Sequence, residues 1–348
     1  MLRTLIIGLG QAGWTLHLPV LARLRETAND EGLFAKDPIV VHDPKHLPAG
    51  GQDEPIAVAH SLREARAALD PARTVVHICT PPSVRVELLR EVAELGFRKV
   101  LVEKPLSADR TDIARILEIR DAWDLNLSVV SHWLDSALTR RLTKIVYSGR
   151  LGELHSIAAV QRKPRFTRSL NTNGHQSAFD VEVPHSLAVV LRLAGQATVV
   201  GASWADMRIN GRLLPRMGTA RLSLRHDHGV RTEIWSDLTS LLRERRISLE
   251  FEQGRVTGYY PVSRDDDHAL MTVTADGHEE TEIFRDDSLA SFLLRTYRGF
   301  AMGHRMTSDL DLNVDIVSLL SDAKNLCEAG GGVTEPQETS NGVVKHVH

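Results

Sequence analysis

The chain has 348 residues, 42% of them hydrophobic and 25% charged, with a formal net charge of −3. That length predicts about two domains with substantial cores, and the charge balance excludes a whole-chain basic field for nucleic acid or an anionic membrane. No run of roughly 18 apolar residues and no signal-peptide layout is present, and Cys79 and Cys327 lie too far apart in sequence to suggest a disulfide framework, so a cytoplasmic protein without a membrane partner is expected.

Residues 4–8 (TLIIG) predict a first strand that runs into GLGQAG, Gly8 to Gly13. A helix-period segment follows, with Ala12, Leu16, Val20, Leu21 and Leu24 on one side. Pro38–Asp43 predicts a second strand and Ile56–His60 a short third. SLREARAAL then predicts a helix whose Ser61 and Glu64 form a capping box. Thr74–Thr80 is a fourth strand, and Pro82–Leu95 a helix with proline in its first turn. Val100–Ser107 (VLVEKPLS) reads as a buried fifth strand that turns at Lys104-Pro105, with Ser107 free to cap the next helix. Pro105 holds Lys104 outside the α region, so the lysine is presented on extended backbone. An amphipathic helix, Asp109–Trp123, and a sixth strand, Leu127–Ser131, complete the alternation. Such alternation predicts a parallel sheet with helices on both faces and all strand ends along one rim.

Beyond Ser131 the pattern changes. A helix over Ala137–Tyr147 leads through Gly149–Gly152 into strand-like segments separated by hairpin signals at Asp227-His228-Gly229 and Asp276-Gly277. A second domain on a mainly antiparallel sheet is expected, closed by a helix over Asp309–Ala329. The expected division is 1–131 for dinucleotide binding, 132–329 for substrate and oligomerisation, and a loose tail over 330–348.

G-x-G-x-x-G gains meaning here because it follows a predicted strand and opens a predicted helix. Gly8 permits the tight turn, Gly10 a close approach of backbone to pyrophosphate, and Gly13 close helix–strand packing; Gln11 and Ala12 open the helix whose N–H groups face the phosphates. Asp43 ends the second strand, where an acid accepts from the ribose hydroxyls and repels a 2′-phosphate. NAD is therefore favoured over NADP, although Lys45 and Arg3 could offset that repulsion. Thr80-Pro81 at the end of the fourth strand, and Glu103 and Lys104 at the end of the fifth, complete the expected cofactor contacts. Cys79 is expected to be a packed core residue.

GLGQAGWTLHLPVL, HICTPPSVRVELLREVAELGFRKVLVEKPLS and SGRLGELHSI, in that order and spacing, resemble the glucose-fructose oxidoreductase / inositol dehydrogenase / rhizopine catabolism family over most of the first 160 residues. The resemblance implies a Rossmann-type α/β domain followed by an open-faced antiparallel sheet that carries the substrate. It also implies NAD(P)-dependent chemistry on sugars or cyclitols. Lys104 would donate a hydrogen bond to the reacting oxygen, and His185 in FDVEVPHSLAVVLRLAG would serve as general acid/base. The stretch departs from the family's pattern: the acid expected four residues before the histidine is absent at Val181, and Asp180 and Glu182 flank that position. Either carboxylate could support His185, and Glu182 could equally meet a substrate ammonium.

Other segments carry weaker signals. Arg162, Lys163, Arg165 and Arg168, with Asn171, Asn173 and His175, form a polar connection before His185. It suits either a phosphate-bearing substrate or solvent, and Arg165, Arg168 and Asn173 are candidate substrate contacts. Trp133, with Asp135, follows the sixth strand where a sugar could stack, although an aromatic there is more often core. His226-Asp227-His228 and the acidic loop before His268 are explained by turns, and no metal is expected. Together these features predict an NAD(P)-dependent dehydrogenase of a secondary alcohol on a sugar, aminosugar or cyclitol. An NADP-dependent ketosugar reductase acting on a sugar nucleotide, or a non-catalytic dinucleotide-binding sensor, are the alternatives. A homodimer or homotetramer through the second sheet is expected, because broad apolar faces are commonly covered by a partner.

Overall fold

The computed structural model describes residues 1–28, 32–45, 55–171, 175–263 and 266–330. The expected tail beyond Gly330 and the candidate contact Asn173 lie outside the described residues. Six short strands form the first sheet: β1 (Arg3–Ile7), β2 (Ile39–His42), β3 (Ile56–Val58), β4 (Thr74–Ile78), β5 (Lys99–Val102) and β6 (Asn126–Val129). They lie in the order β3-β2-β1-β4-β5-β6, and every neighbouring pair is parallel. Their apolar runs have no polar alternation because helices cover both faces; all five residues of β4 are buried.

The covering helices are α1 (Leu18–Thr27), α2 (Leu62–Ala68), α3 (Arg85–Glu94) and α4 (Arg110–Ala122). Ser61 caps α2 by accepting from Glu64 N at 3.1 Å, but the Glu64 carboxylate takes the His60 N–H at 2.9 Å, so the expected box closes one residue early. Pro82 starts a 3-10 turn, Pro82–Val84, before α3 begins, which splits the single helix expected there. The helix after the glycine turn opens as a π-helical turn, Gly13–His17, which carries His17 into the interior beside the sheet (0% exposed). Strand order reverses between β1 and β4, so Gly8 and Thr80 flank the crevice where such sheets bind ligands.

The second part opens with α5 (Ala137–Ser148), β7 (Leu154–Arg162), the short α6 (Phe166–Asn171) and α7 (Val183–Ala194). After β8 (Ala197–Trp204) comes a small two-stranded hairpin, β9 (Met207–Ile209) with β10 (Arg212–Leu214). Then follow β11 (Thr219–His226), β12 (Arg231–Asp237), β13 (Glu244–Phe251), β14 (Gly254–Tyr259), β15 (His268–Ala275) and β16 (His278–Arg285). Eight strands share one sheet in the order β16-β15-β14-β13-β7-β12-β11-β8, with only β7–β12 parallel. Leu138 and Leu142 of α5 and Leu187 and Val190 of α7 pack on Ile157, Leu222, Ile234 and Ile247, which places both helices on one face. The other face is charged along its centre: Arg162 pairs with Glu244, and both Arg162 and Arg221 lie over Trp235.

Asp276 and Gly277 both have positive φ, 51° and 75°, and close the two-residue β15–β16 hairpin that their sequence signalled. Strand β16 itself was not foreseen; HEETEIFR is exposed almost throughout and reads as a charged edge. Helix α8 (Ser288–Ala301) was also not foreseen, although Phe292, Leu293, Tyr297 and Phe300 repeat at helical spacing. It packs against the first sheet's core with Leu18, Leu21 and Phe34. Helix α9 (Thr307–Glu328) follows the expected final helix and joins both cores, Leu310 and Val317 in the first, Ile316, Leu320 and Ala323 in the second. No helix among the described residues is long and apolar enough to cross a membrane.

Candidate active site

At the crevice, the glycine turn is tightly built where it meets the sheet and open where it faces outward. Gly8 has φ +93°, and a Cβ there would lie 3.0 Å from the Cys79 carbonyl carbon. A Cβ on Gly13 would lie 2.0 Å from Gly8 O, whereas one on Gly10 would meet nothing within 4 Å. Gln11 is exposed and Ala12 half-buried beside this opening. Asp43 holds the turn from the β2 side: its Oδ2 accepts from Leu9 N and its Oδ1 from Lys45 N, both at 2.7 Å. Thr80 presents a buried Oγ1 without a hydrogen-bond partner, and Pro81 is exposed at the same rim. An open glycine, an anchored carboxylate and an orphaned hydroxyl along one crevice fit a dinucleotide, with Gly10 at the phosphates and Asp43 at the ribose.

Glu103 and Lys104 leave β5 at that rim, and the Lys104–Pro105 peptide is cis. Fully buried Arg85 fixes this corner by donating to the carbonyls of Pro105, Leu106 (3.0 Å) and Thr80 (2.8 Å). Burial, partly offset by Glu103, brings its pKa down to about 10. Lys104 Nζ donates to Val181 O at 2.6 Å. Burial also lowers the Lys104 pKa, against the opposing pull of Glu182 and Glu103.

Behind the lysine, Glu103 reaches one oxygen inward. Its Oε1 lies 2.9 Å from His17 Nε2; His17 Nδ1 lies 2.8 Å from His77 Nδ1; His77 Nε2 lies 2.8 Å from the Tyr297 hydroxyl, which is 2.7 Å from Thr4 Oγ1. Burial works against a charge on His17, but Cys79 and Glu103 outweigh it and raise its pKa to about 10. Burial and the His17 charge push His77 well below its ordinary value. One polarity satisfies the chain: imidazolium His17 donates to Glu103 and to His77, and neutral His77 donates to Tyr297. Glu103, an expected cofactor contact, is also the carboxylate that anchors this buried chain.

The N-terminus of α7 supplies the other wall. Pro184 sits in its first turn, as expected, and His185 N bonds Glu182 O at 3.1 Å. The His185 ring stacks on Trp133 at 5.4 Å and meets His132 edge-on at 4.8 Å. Neither of its ring nitrogens has a hydrogen-bond partner among the described residues. Burial, then the charges of Lys104, His132, Arg245 and Lys163, hold the imidazole well below its ordinary pKa, so it is neutral. His132 is brought down to about 4 and His175 to about 3, both chiefly by burial.

The two candidate carboxylates separate cleanly. Asp180 closes a capping box with Ser177 (3.0 Å to the Ser177 N–H) and pairs with Lys324 Nζ of α9 at 2.6 Å, so it faces away from His185. Glu182 stays at the site, where its Oε1 meets Lys163 Nζ at 2.9 Å and its Oε2 lies 3.8 Å from Arg245. Burial would raise its pKa, but Lys163, Arg245 and Lys104 prevail and hold it at about 2. A substrate ammonium would have to displace Lys163, which removes the reason for expecting one there.

Trp133 is buried between His185 and Tyr260, whose ring is 4.1 Å away, so it supports the histidine and offers no free stacking face. Arg165 is buried beside the site, and Arg168 is exposed on α6. His226 is satisfied by Gly195 O and Thr232 Oγ1. Asp266, Asp267 and His268 cluster at the surface, but Arg285 already takes Asp267 at 2.7 Å. Both cysteines are free. Sequence reasoning missed Arg85, His17, His77 and Tyr297, which meet only through folding, and it gave no role to His132.

Residues 2–130 match the family model described as an oxidoreductase family with the NAD-binding Rossmann fold, the group named for glucose-fructose oxidoreductase, inositol dehydrogenase and the rhizopine protein. No curated protein matches the chain. Among solved structures, KijD10, a 3-ketoreductase from Actinomadura kijaniata in complex with NADP and TDP-benzene, is 16% identical with a TM-score of 0.75, over 93% of this chain and 97% of that one. YvaA of Bacillus subtilis, named as an oxidoreductase, is 16% identical with a TM-score of 0.74, over 95% and 98%. A Desulfitobacterium hafniense protein named as an NADPH-dependent oxidoreductase is 12% identical with a TM-score of 0.75, over 94% and 96%. At these identities the likeness shows a shared fold across both parts of the chain.

Proposed function

We propose that this chain, whose residues 2–130 match the oxidoreductase family with the NAD-binding Rossmann fold, is an NAD(P)-dependent dehydrogenase or reductase of a secondary alcohol or ketone on a sugar or cyclitol. The observation that carries this reading is the convergence of Lys104 and His185. The lysine's ammonium bonds Val181 O, one helical turn before His185, and its charge acts on the imidazole. The bound nicotinamide supplies hydride transfer. Lys104 holds the reacting oxygen with the hydrogen bond it now gives to Val181 O and stabilises alkoxide character there. Neutral His185 takes the hydroxyl proton in the oxidative direction and, as imidazolium, returns one to the oxygen in the reductive direction. Glu182 balances the cations around both groups, while His132 and Trp133 fix the plane of the imidazole.

Asp43 favours NAD, since its carboxylate at the ribose end repels a 2′-phosphate. A lysine and a histidine brought to one wall of the crevice also speak against a sensor without turnover. For the assembly, the charged centre of the second sheet's uncovered face favours a polar contact over a greasy one; light scattering decides whether that face pairs.

Lys104→Ala tests the assignment. With a working polyol substrate, followed by nicotinamide absorbance, it should lose on the order of 10²–10³-fold in kcat. NADH affinity, read by nicotinamide fluorescence, should stay within about a factor of three of the unmodified protein. Near-normal turnover in this variant refutes the role of Lys104.

A further inference from the structure

Strand β7 changes character along its length. Its alternate residues Ile157 and Ala159 face the covering helices and are apolar, but the same side continues as Gln161, Lys163 and Arg165. Residues 163 and 165 extend the ladder beyond the strand, since Lys163 N bonds Asp237 O and Arg165 N bonds Leu238 O. Register sets Arg245 of β13 and Ser236 of β12 on either side of Gln161. A polar wall therefore grows out of an apolar sheet where it meets the start of α7.

That wall is short of negative charge. Glu182 answers Lys163 and Arg245. Arg165 is 4% exposed and donates from Nη1 to the Ser169 hydroxyl at 3.1 Å, yet it has no ion pair among the described residues. A guanidinium so enclosed is costly, because its charge is removed from water and only the Ser169 hydroxyl and the more distant charge of Glu182, already shared with Lys163 and Arg245, offset it. Two further polar atoms are buried without partners, Gln161 Oε1 on the same side of β7 and His175 Nδ1 on the connection that follows α6. Lys104 Nζ meets Val181 O beside Glu182, the carboxylate that holds Lys163 of this wall, and the charge of Arg165 adds to burial in lowering the pKa of both Lys104 and His175.

We infer that Arg165, supported by Lys163, forms a subsite for an anionic group of the substrate, a carboxylate or phosphate, held beside the oxygen that Lys104 polarises. This rests on the proposed function and narrows it: the substrate is an acidic or phosphorylated sugar or cyclitol derivative. A planar guanidinium suits either anion through paired N–H donors. The orphaned His175 Nδ1 supplies a donor or acceptor at the same place, and Gln161 Oε1 accepts from a neighbouring hydroxyl.

The test uses the full chain saturated with NADH, so that free phosphate cannot occupy the glycine turn. Inorganic phosphate, acetate and neutral glycerol are titrated by calorimetry at matched ionic strength against the unmodified protein, Arg165→Gln and Arg165→Lys. Phosphate or acetate should bind more tightly than glycerol, and the stronger of the two identifies the anion. Arg165→Gln should weaken that binding by ~10–100-fold, and Arg165→Lys should restore part of it. No anion preference in the unmodified protein overturns the subsite, and so does unchanged anion binding in Arg165→Gln. Should Arg165→Gln fail to fold, the unmodified protein's preference and the Arg165→Lys affinity still decide. NADH binding is measured in the same samples: its loss in the unmodified protein would sink the proposed function, whereas its retention without anion preference sinks only the subsite.

Discussion

Replacing His17 with asparagine removes the single cation from the buried chain that links Glu103 to Tyr297. The pKa of His17 rises from 6.5 to about 10 in the folded protein. Between those values the native state binds one more proton than the unfolded chain. Its contribution is therefore full below pH 6.5 and is lost as pH climbs through about 10. The slope for one such group is ~1.4 kcal/mol per pH unit. Breaking a buried ion pair on one side typically costs ~3–5 kcal/mol, which agrees in order with that slope integrated across the window. His17→Asn should thus be ~3–5 kcal/mol less stable than the unmodified protein near neutral pH, and the gap should shrink steadily toward pH 10. Urea unfolding followed by tryptophan fluorescence at several pH values measures it. A gap that stays constant with pH would show that His17 is neutral in the fold, and the assigned polarity of the chain would be wrong.

Further outcomes follow from the same geometry. Because the His185 pKa is held well below 6.5 and that of Lys104 below 10.5, the acidic limb of kcat/KM should fall below pH 6.5 and the alkaline limb below pH 10.5; an acidic limb at neutral pH contradicts the assignment. Asp180→Asn should leave kcat/KM within about threefold while costing ~1–3 kcal/mol of stability through its cap and Lys324. Glu182→Gln should lower kcat/KM by about ten-fold or more, since it strips from Lys163 and Arg245 the only carboxylate they meet among the described residues; comparable kinetics in the two variants would undo the distinction. Gly13→Ala should abolish NADH binding in a fluorescence titration, because its Cβ cannot coexist with Gly8 O at 2.0 Å, and retained affinity would mean the turn rearranges freely.

Local signals made the first sheet legible, since GLGQAG, Asp43 and Lys104-Pro105 each sit at a strand end that apolar runs reveal. His185 was legible from the blocks around it, and the proline in its helix marks the start of α7 correctly. Choosing between Asp180 and Glu182 was not possible from sequence, because the answer depends on Lys324 and Lys163, residues 144 and 19 positions away along the chain. The buried chain was hidden for the same reason: His17, His77 and Tyr297 come from a π-helical turn, a strand and a late helix. Strand β16 escaped because its charged residues suppress the alternation that marks a buried strand. Helix α8 escaped although its apolar spacing was present, as the reading there followed strands.

Helix α8 also bears on how the molecule is made. The first six strands are all synthesised by Val129, yet Tyr297 closes their hydrogen-bond chain and Phe292 and Phe300 seal one face of their core. At ~5–20 residues per second, that gap corresponds to roughly ten seconds or more of translation. Through that interval the nascent Rossmann half carries an open apolar seam and an unanswered His77, a natural moment for chaperone engagement, and its maturation is timed by the arrival of a segment from the far end of the message.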